Sequence, residues 1–182
     1  MILFTSSTYV KSVTPIDNNL QDKQILPAIR QAQLMEIKPT IGEALYNRLA
    51  ALISSGDISK EENIAYKDLL DKLQDFLSFA TVCRIIPIVA FKIGNMGLSR
   101  TKDENLDYAG IDEVNQIVDY YGNMRDEAKL ELQNFLLNNS KAYKELDECA
   151  CRAIEANLYS ANSCGVVLGG VRGKIRRNYK KL

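Results

Sequence analysis

The sequence contains no histidine. That absence removes the commonest general base near neutral pH, and with it any Ser-His-Asp or Cys-His catalytic arrangement. Carboxylate or lysine chemistry stays open, but no convergent set of such residues stands out, and no enzymatic activity is expected. Cysteine is sparse, limited to Cys83, Cys149, Cys151 and Cys164. Cys149-x-Cys151 lacks metal-ligand spacing and no histidine exists to complete a mixed site, so reduced thiols are expected and neither a metal nor a cofactor. Long hydrophobic runs are missing too. Residues 82–91 are too few to span a bilayer and include Arg84. Residues 1–10 show no basic region followed by an apolar run, so neither a leader nor membrane association is expected.

What is present fits a globular chain of 182 residues, 46% hydrophobic and 25% charged, long enough to bury a substantial core in one domain. Formal charge is zero but unevenly spread. Residues 171–182 carry Arg172, Lys174, Arg176, Arg177, Lys180 and Lys181 with no acid, leaving 17 basic and 23 acidic groups in the rest. A body of net −6 therefore ends in a tail of net +6.

The longest helical pattern runs over residues 59–95. Ser59 and Glu62 have capping-box spacing, and Tyr66, Leu69, Leu70, Leu73, Phe76, Leu77, Ala80 and Cys83 then recur every three or four residues. Ile85, Ile86, Ile88, Val89, Ala90 and Phe91 surround Pro87 without a polar face, which predicts burial on all sides and a kink at the proline. Ahead of this helix, residues 1–20 show no helical period and read as an extended N-terminal arm. A helix from Gln24 with Leu26, Ile29, Ala32 and Ile37 inward is expected to stop at Lys38, before Pro39. Thr40 and Glu43 suggest a second capping box, opening a helix closed by Ser54-Ser55-Gly56.

Beyond the long helix, residues 94–110 read as a polar surface loop. Its acids Asp103, Glu104 and Asp107, with Asp112 and Glu113 beyond, lack the spacing of a calcium loop. A helix from Ile111 to about Leu137 presents Val114, Ile117, Val118, Tyr121, Met124, Ala128, Leu132, Phe135 and Leu136 along one side, suited to packing on the long helix. Another helix is expected from Lys141 to about Leu158. The predicted architecture is an all-α helical bundle over residues 21–158, built on a long kinked helix, with an N-terminal arm over 1–20 and a glycine-rich basic C-terminal arm over 159–182.

Within that last arm, Gly169-Gly170-Val171-Arg172-Gly173-Lys174 resembles a phosphate loop only superficially, since the spacing and the hydroxyl residue after the lysine are missing. The candidate partner-binding residues are Arg172, Lys174, Arg176, Arg177, Tyr179, Lys180 and Lys181. Such a run serves equally to grip nucleic-acid phosphates, with Tyr179 stacking on a base, or to engage an acidic protein surface such as the body of a neighbouring copy. A nucleic-acid-binding helical protein is therefore one alternative.

Ile29-Arg30-Gln31-Ala32-Gln33 followed by Ile37-Lys38-Pro39-Thr40-Ile41-Gly42-Glu43-Ala44-Leu45-Tyr46 resembles the opening of head-to-tail connector (adaptor, or head-completion) proteins of tailed bacteriophages, nearest in character to the crAss-like phages of Bacteroidetes. The later order of long helix, acidic loop and a helix ending Phe135-Leu136-Leu137-Asn138-Asn139 is similar as well; the resemblance spans roughly residues 20–145. It implies a virion protein at the head–tail junction, assembled in the host cytoplasm as a homo-oligomeric ring, usually of twelve copies. Its partners would be the portal protein, neighbouring copies, tail proteins and the genomic DNA passing through the channel. Helices around Leu73, Phe76, Ile86, Val118 and Phe135 would form a wedge meeting its neighbours through polar faces. The basic arm would reach the portal or the next subunit.

Overall fold

A 27-residue helix, α5 (Ile64–Ala90), forms the spine of the molecule. Tyr66, Leu69, Leu73, Phe76, Leu77, Ala80 and Ile85 are buried along one side of it, while Lys67, Asp68, Asp71 and Asp75 face water. Two polar residues share the buried side without cost to the ladder. The hydroxyls of Ser78 and Thr81 donate to the carbonyls of Gln74 and Leu77, each at 2.7 Å, one turn back.

The computed structural model describes residues 2–94, 97–100, 110–146, 151 and 154–156. Around α5 lie α1 (Ser7–Val13), α2 (Asp22–Ala32), α3 (Lys38–Ile41), α4 (Glu43–Ser55) and α6 (Ile111–Asn138). The fold is all-α, with one short antiparallel hairpin among the described residues, β1 (Phe91–Gly94) against β2 (Gly97–Arg100). α6 runs back along α5: Lys72 pairs with Glu131 low on the pair, and Cys83 Sγ lies 3.9 Å from the Val118 carbonyl higher up.

Residues 2–20 do not form an extended arm. Ser6 caps α1 by accepting from the Tyr9 N–H at 3.1 Å, and Phe4 and Val10 are buried in the main core. Gln33, fully buried, holds this segment: its Oε1 accepts from Phe4 N at 2.9 Å, and its Nε2 donates to the Ile2 carbonyl at 2.9 Å and to Tyr46 Oη at 2.8 Å. Gln74 Nε2 adds a bond to the Phe4 carbonyl at 3.0 Å.

Several expected helix boundaries move. α2 starts at Asp22, and its inward set is Ile25, Ala28, Ile29 and Ala32, leaving Leu26 at the surface. The helical path does not stop at Lys38, which sits at φ −54, ψ −46 in the α region. A π turn over Gln33–Ile37, closed by the Lys38 N–H donating to the Gln33 carbonyl, widens the helix just where Pro39 lacks a donor and would crowd the carbonyl one turn back. The break comes instead at Gly42, whose φ of +83 favours glycine. Thr40 is therefore no cap. Its hydroxyl donates back to the Glu36 carbonyl at 2.6 Å, and Glu43 pairs with Lys38 at 2.7 Å. Gly56 closes α4 in the left-handed region, as its position predicted.

Ser59 belongs to a short 3₁₀ turn, and a second one precedes α5, so the expected capping box there does not form. The far end of α5 stops at Ala90 rather than residue 95, and the hairpin takes up part of the predicted loop. Gly94 pairs with Gly97 at the inner end of the hairpin. After α6 a 3₁₀ turn, Ser140–Ala142, replaces the start of the predicted last helix, and helical geometry returns at Cys151 and residues 154–156. Tyr143, just after the turn, packs back on α5. It is buried edge-on to Tyr66, with ring centroids 5.6 Å apart, and its hydroxyl donates to the Ala65 carbonyl at 3.0 Å.

Burial pushes the Tyr143 hydroxyl up from 10.0 to about 12, with the Asp68 carboxylate acting in the same direction. A raised folded-state value means that the stabilisation is complete below pH 10 and is lost as pH climbs through 12, because the unfolded chain ionises first. The melting temperature is expected to fall across that alkaline window. Tyr143→Phe should make the fall shallower in thermal melts followed by circular dichroism, and an identical slope would remove Tyr143 from the account.

Candidate functional site

The outer end of the α5–α6 pair carries the most distinctive surface. From Ile111 to Glu131, α6 contains no fully buried residue, although it keeps an amphipathic pattern. Val114, Val118, Tyr121 and Met124 are half-buried, whereas Ile111, Ile117 and Tyr120 stand 59%, 45% and 60% exposed. On α5, Ile88 and Val89 are 38% and 39% exposed, so the stretch around Pro87 is not buried on every side as its composition predicted. The reason is architectural. The core formed with α1, α2 and α4 reaches along α5 only as far as Ile85, and the chain continues outward beyond it. Large apolar side chains gathered at one end of a domain mark an interaction site more often than scattered ones do.

An ion cluster sits at the base of this end. Glu36 accepts from Arg84 at 2.7 Å and lies 3.7 Å from Arg125, whose guanidinium also holds Asp126 at 2.8 Å. The three elements bearing these groups are thereby tied together below the exposed surface. Arg84 Nε is buried without a hydrogen-bond partner. Cys83 stands next to the cluster, its thiol pushed up by burial and thus kept protonated near neutral pH.

Grooves also lie among the described residues. One is bordered by Leu3, Leu26, Pro27, Arg30, Gln31 and Leu34, on the outward side of α2. Another lies between α1, α5 and α6, with Tyr9 and Phe135 as walls and Asp68, Asp71, Lys72 and Asp75 along α5. Tyr9 donates to Asp75 at 2.9 Å, and burial followed by that bond pushes its hydroxyl up to about 12.

The predicted partner-binding residues Arg172, Lys174, Arg176, Arg177, Tyr179, Lys180 and Lys181 lie outside the described residues, as does the whole arm over 159–182. Asp103, Glu104 and Asp107 lie outside them as well. Of the acids after them, Glu113 turns back to accept from the Gly110 N–H at 2.6 Å at the start of α6. Among the described residues no group of three potential ligands is placed to hold a metal, and no helix is long and apolar enough to cross a membrane. Sequence reasoning missed the exposed apolar end. Its signal was available: an apolar run without a polar face, at the end of a helix longer than the core of a small bundle.

No curated protein and no solved structure matches the chain. A family model does match over residues 37–155, from the π turn to the last described helical residues. That span is well over half of the sequence, and the chain belongs to DUF6712, a family of unknown function.

Proposed function

We propose that this chain is a structural virion subunit, a head-to-tail connector that forms a ring between portal and tail and extends the DNA channel. The observation that carries the reading is the apolar end of the α5–α6 pair, with Ile88, Val89, Ile111, Ile117 and Tyr120 exposed. A subunit built to meet a copy of itself has a use for such a surface. Neighbouring wedges would then meet through apolar contact at this end, and not through polar faces alone. The connector identity rests on the resemblance at residues 29–46. In that segment Ile29, Ala32, Gln33, Ile37, Thr40, Ile41, Leu45 and Tyr46 are buried, so the resembling positions are those that build the core. The activity is mechanical and no reaction is assigned. A body of net −6 suits a channel wall, since like charge keeps DNA from adhering as it passes.

Mass determination on the purified chain, alone and mixed with the portal protein, tests the reading. A ring, or a complex near one copy per portal subunit, is the expected result. Monomers in both conditions would refute it.

A further inference from the structure

The groove between α1, α5 and α6 and the chain's own basic end have complementary chemistry. Asp68, Asp71 and Asp75 recur at three- and four-residue spacing along one side of α5, covering about 10 Å of helix. Among the described residues none of these three carboxylates is in a salt bridge, and the lysine between them, Lys72, is paired across to Glu131 on α6. Tyr9 and Phe135 wall the groove with aromatic rings. Such a trough accepts long cationic side chains, whose stems lie on the rings while the heads reach the carboxylates. The sequence supplies one segment of that kind, residues 171–182, with six basic groups and no acid. In an extended peptide, positions 172, 174 and 176 fall on one side about 7 Å apart, against about 4.5–6 Å between successive carboxylates along the helix, a difference that long, flexible basic side chains span.

We infer that residues 171–182 of one copy dock in the Tyr9–Asp68–Asp71–Asp75–Phe135 groove of a neighbouring copy. This rests on the ring reading for the choice of a neighbour as donor, while the groove–segment pairing stands apart from it. The segment would act as a strap between subunits, held by charge and therefore adjustable by ionic strength.

The test uses a fluorescent peptide of residues 169–182 and the full chain carrying Arg172→Glu, Arg176→Glu and Arg177→Glu, so that its own end does not compete. Binding at low salt is expected, weakening on the order of tenfold when Asp68, Asp71 and Asp75 are all changed to Asn, with the circular dichroism spectrum unchanged. Lys72→Gln, which leaves the row more acidic, should tighten binding. Equal affinity across these variants, or no binding at low salt, overturns the pairing whether or not rings form. Donation between copies is read from sedimentation of two full-length variants, the one with glutamates at the three arginines and one with lysines at the three aspartates. Each should self-associate more weakly than the unmodified chain and their mixture should recover association; a mixture no stronger than either variant alone overturns the exchange between copies and leaves the portal-dependent mass measurement to decide the ring separately.

Discussion

Gln33→Leu is expected to cost about 3 kcal/mol, a large part of the 5–15 kcal/mol that holds a domain of this kind together. The substitution keeps the side chain's bulk and removes its amide. Three groups then lose their partner at once: the Phe4 N–H, the Ile2 carbonyl and the Tyr46 hydroxyl. Each orphaned buried group costs about 1–3 kcal/mol, although the partly exposed Ile2 carbonyl can recover water. For a chain of this length the melting temperature should fall by roughly 10 °C. Urea titration separates two outcomes within that loss. If the segment over residues 2–13 stays docked, the midpoint falls with an unchanged slope; if it detaches, the native state already exposes Phe4 and Val10 and the slope falls too. A loss below about 1 kcal/mol would mean that the buried amide is not what fastens the N-terminal segment.

That anchor explains why the first 20 residues were misread from sequence. α1 is 7 residues long, too short to show a period, and its fastening comes from Gln33 and Gln74. Neither glutamine differs on paper from a surface residue. Local signals were equally ambiguous at Thr40 and Ser59, where capping-box spacing occurs by composition. At Thr40 the competing bond to the Glu36 carbonyl wins because the π turn has already carried the helix past Pro39. The spine of α5 was legible for the opposite reason. Its core set from Tyr66 to Ala80 is fixed by a repeating pattern that every neighbouring helix reads from the same side. The start and end of α6, and the glycine stop after α4, were legible on the same local grounds.

The candidate site was only half legible, and the exposed apolar end shows why. Composition records that Ile86, Ile88 and Val89 seek an apolar environment, but not whether the same chain or another copy provides it. The structure answers the first part, since the core ends at Ile85 and leaves Ile88, Val89, Ile117 and Tyr120 at the surface. The basic end was legible as a charge run, but its counterpart was not. Asp68, Asp71 and Asp75 read as the wet side of a helix until Tyr9 and Phe135 are seen to wall them.

Changing Ile117 and Tyr120 together to glutamate should abolish assembly while leaving the fold intact. Both side chains are about half in solvent in the single chain, and glutamate is a good helix former, so stability should shift by no more than about 1 kcal/mol. In an interface the arithmetic reverses. Burying a large apolar side chain from full exposure contributes about 1.5–3 kcal/mol, and about half of that is still to be gained at these two, so losing both removes on the order of tenfold to a hundredfold in association constant before the cost of burying two carboxylates is counted. A ring multiplies that loss at every junction. Mass determination with the portal protein should therefore return free monomer for the double variant where the unmodified chain assembles, with closely similar melting curves. Assembly equal to that of the unmodified chain would clear the apolar end of any role between copies. The basic segment and the acidic groove would then have to carry the contact, and assembly would dissolve in salt; contact through the apolar end, by contrast, should persist at ionic strengths that screen the strap.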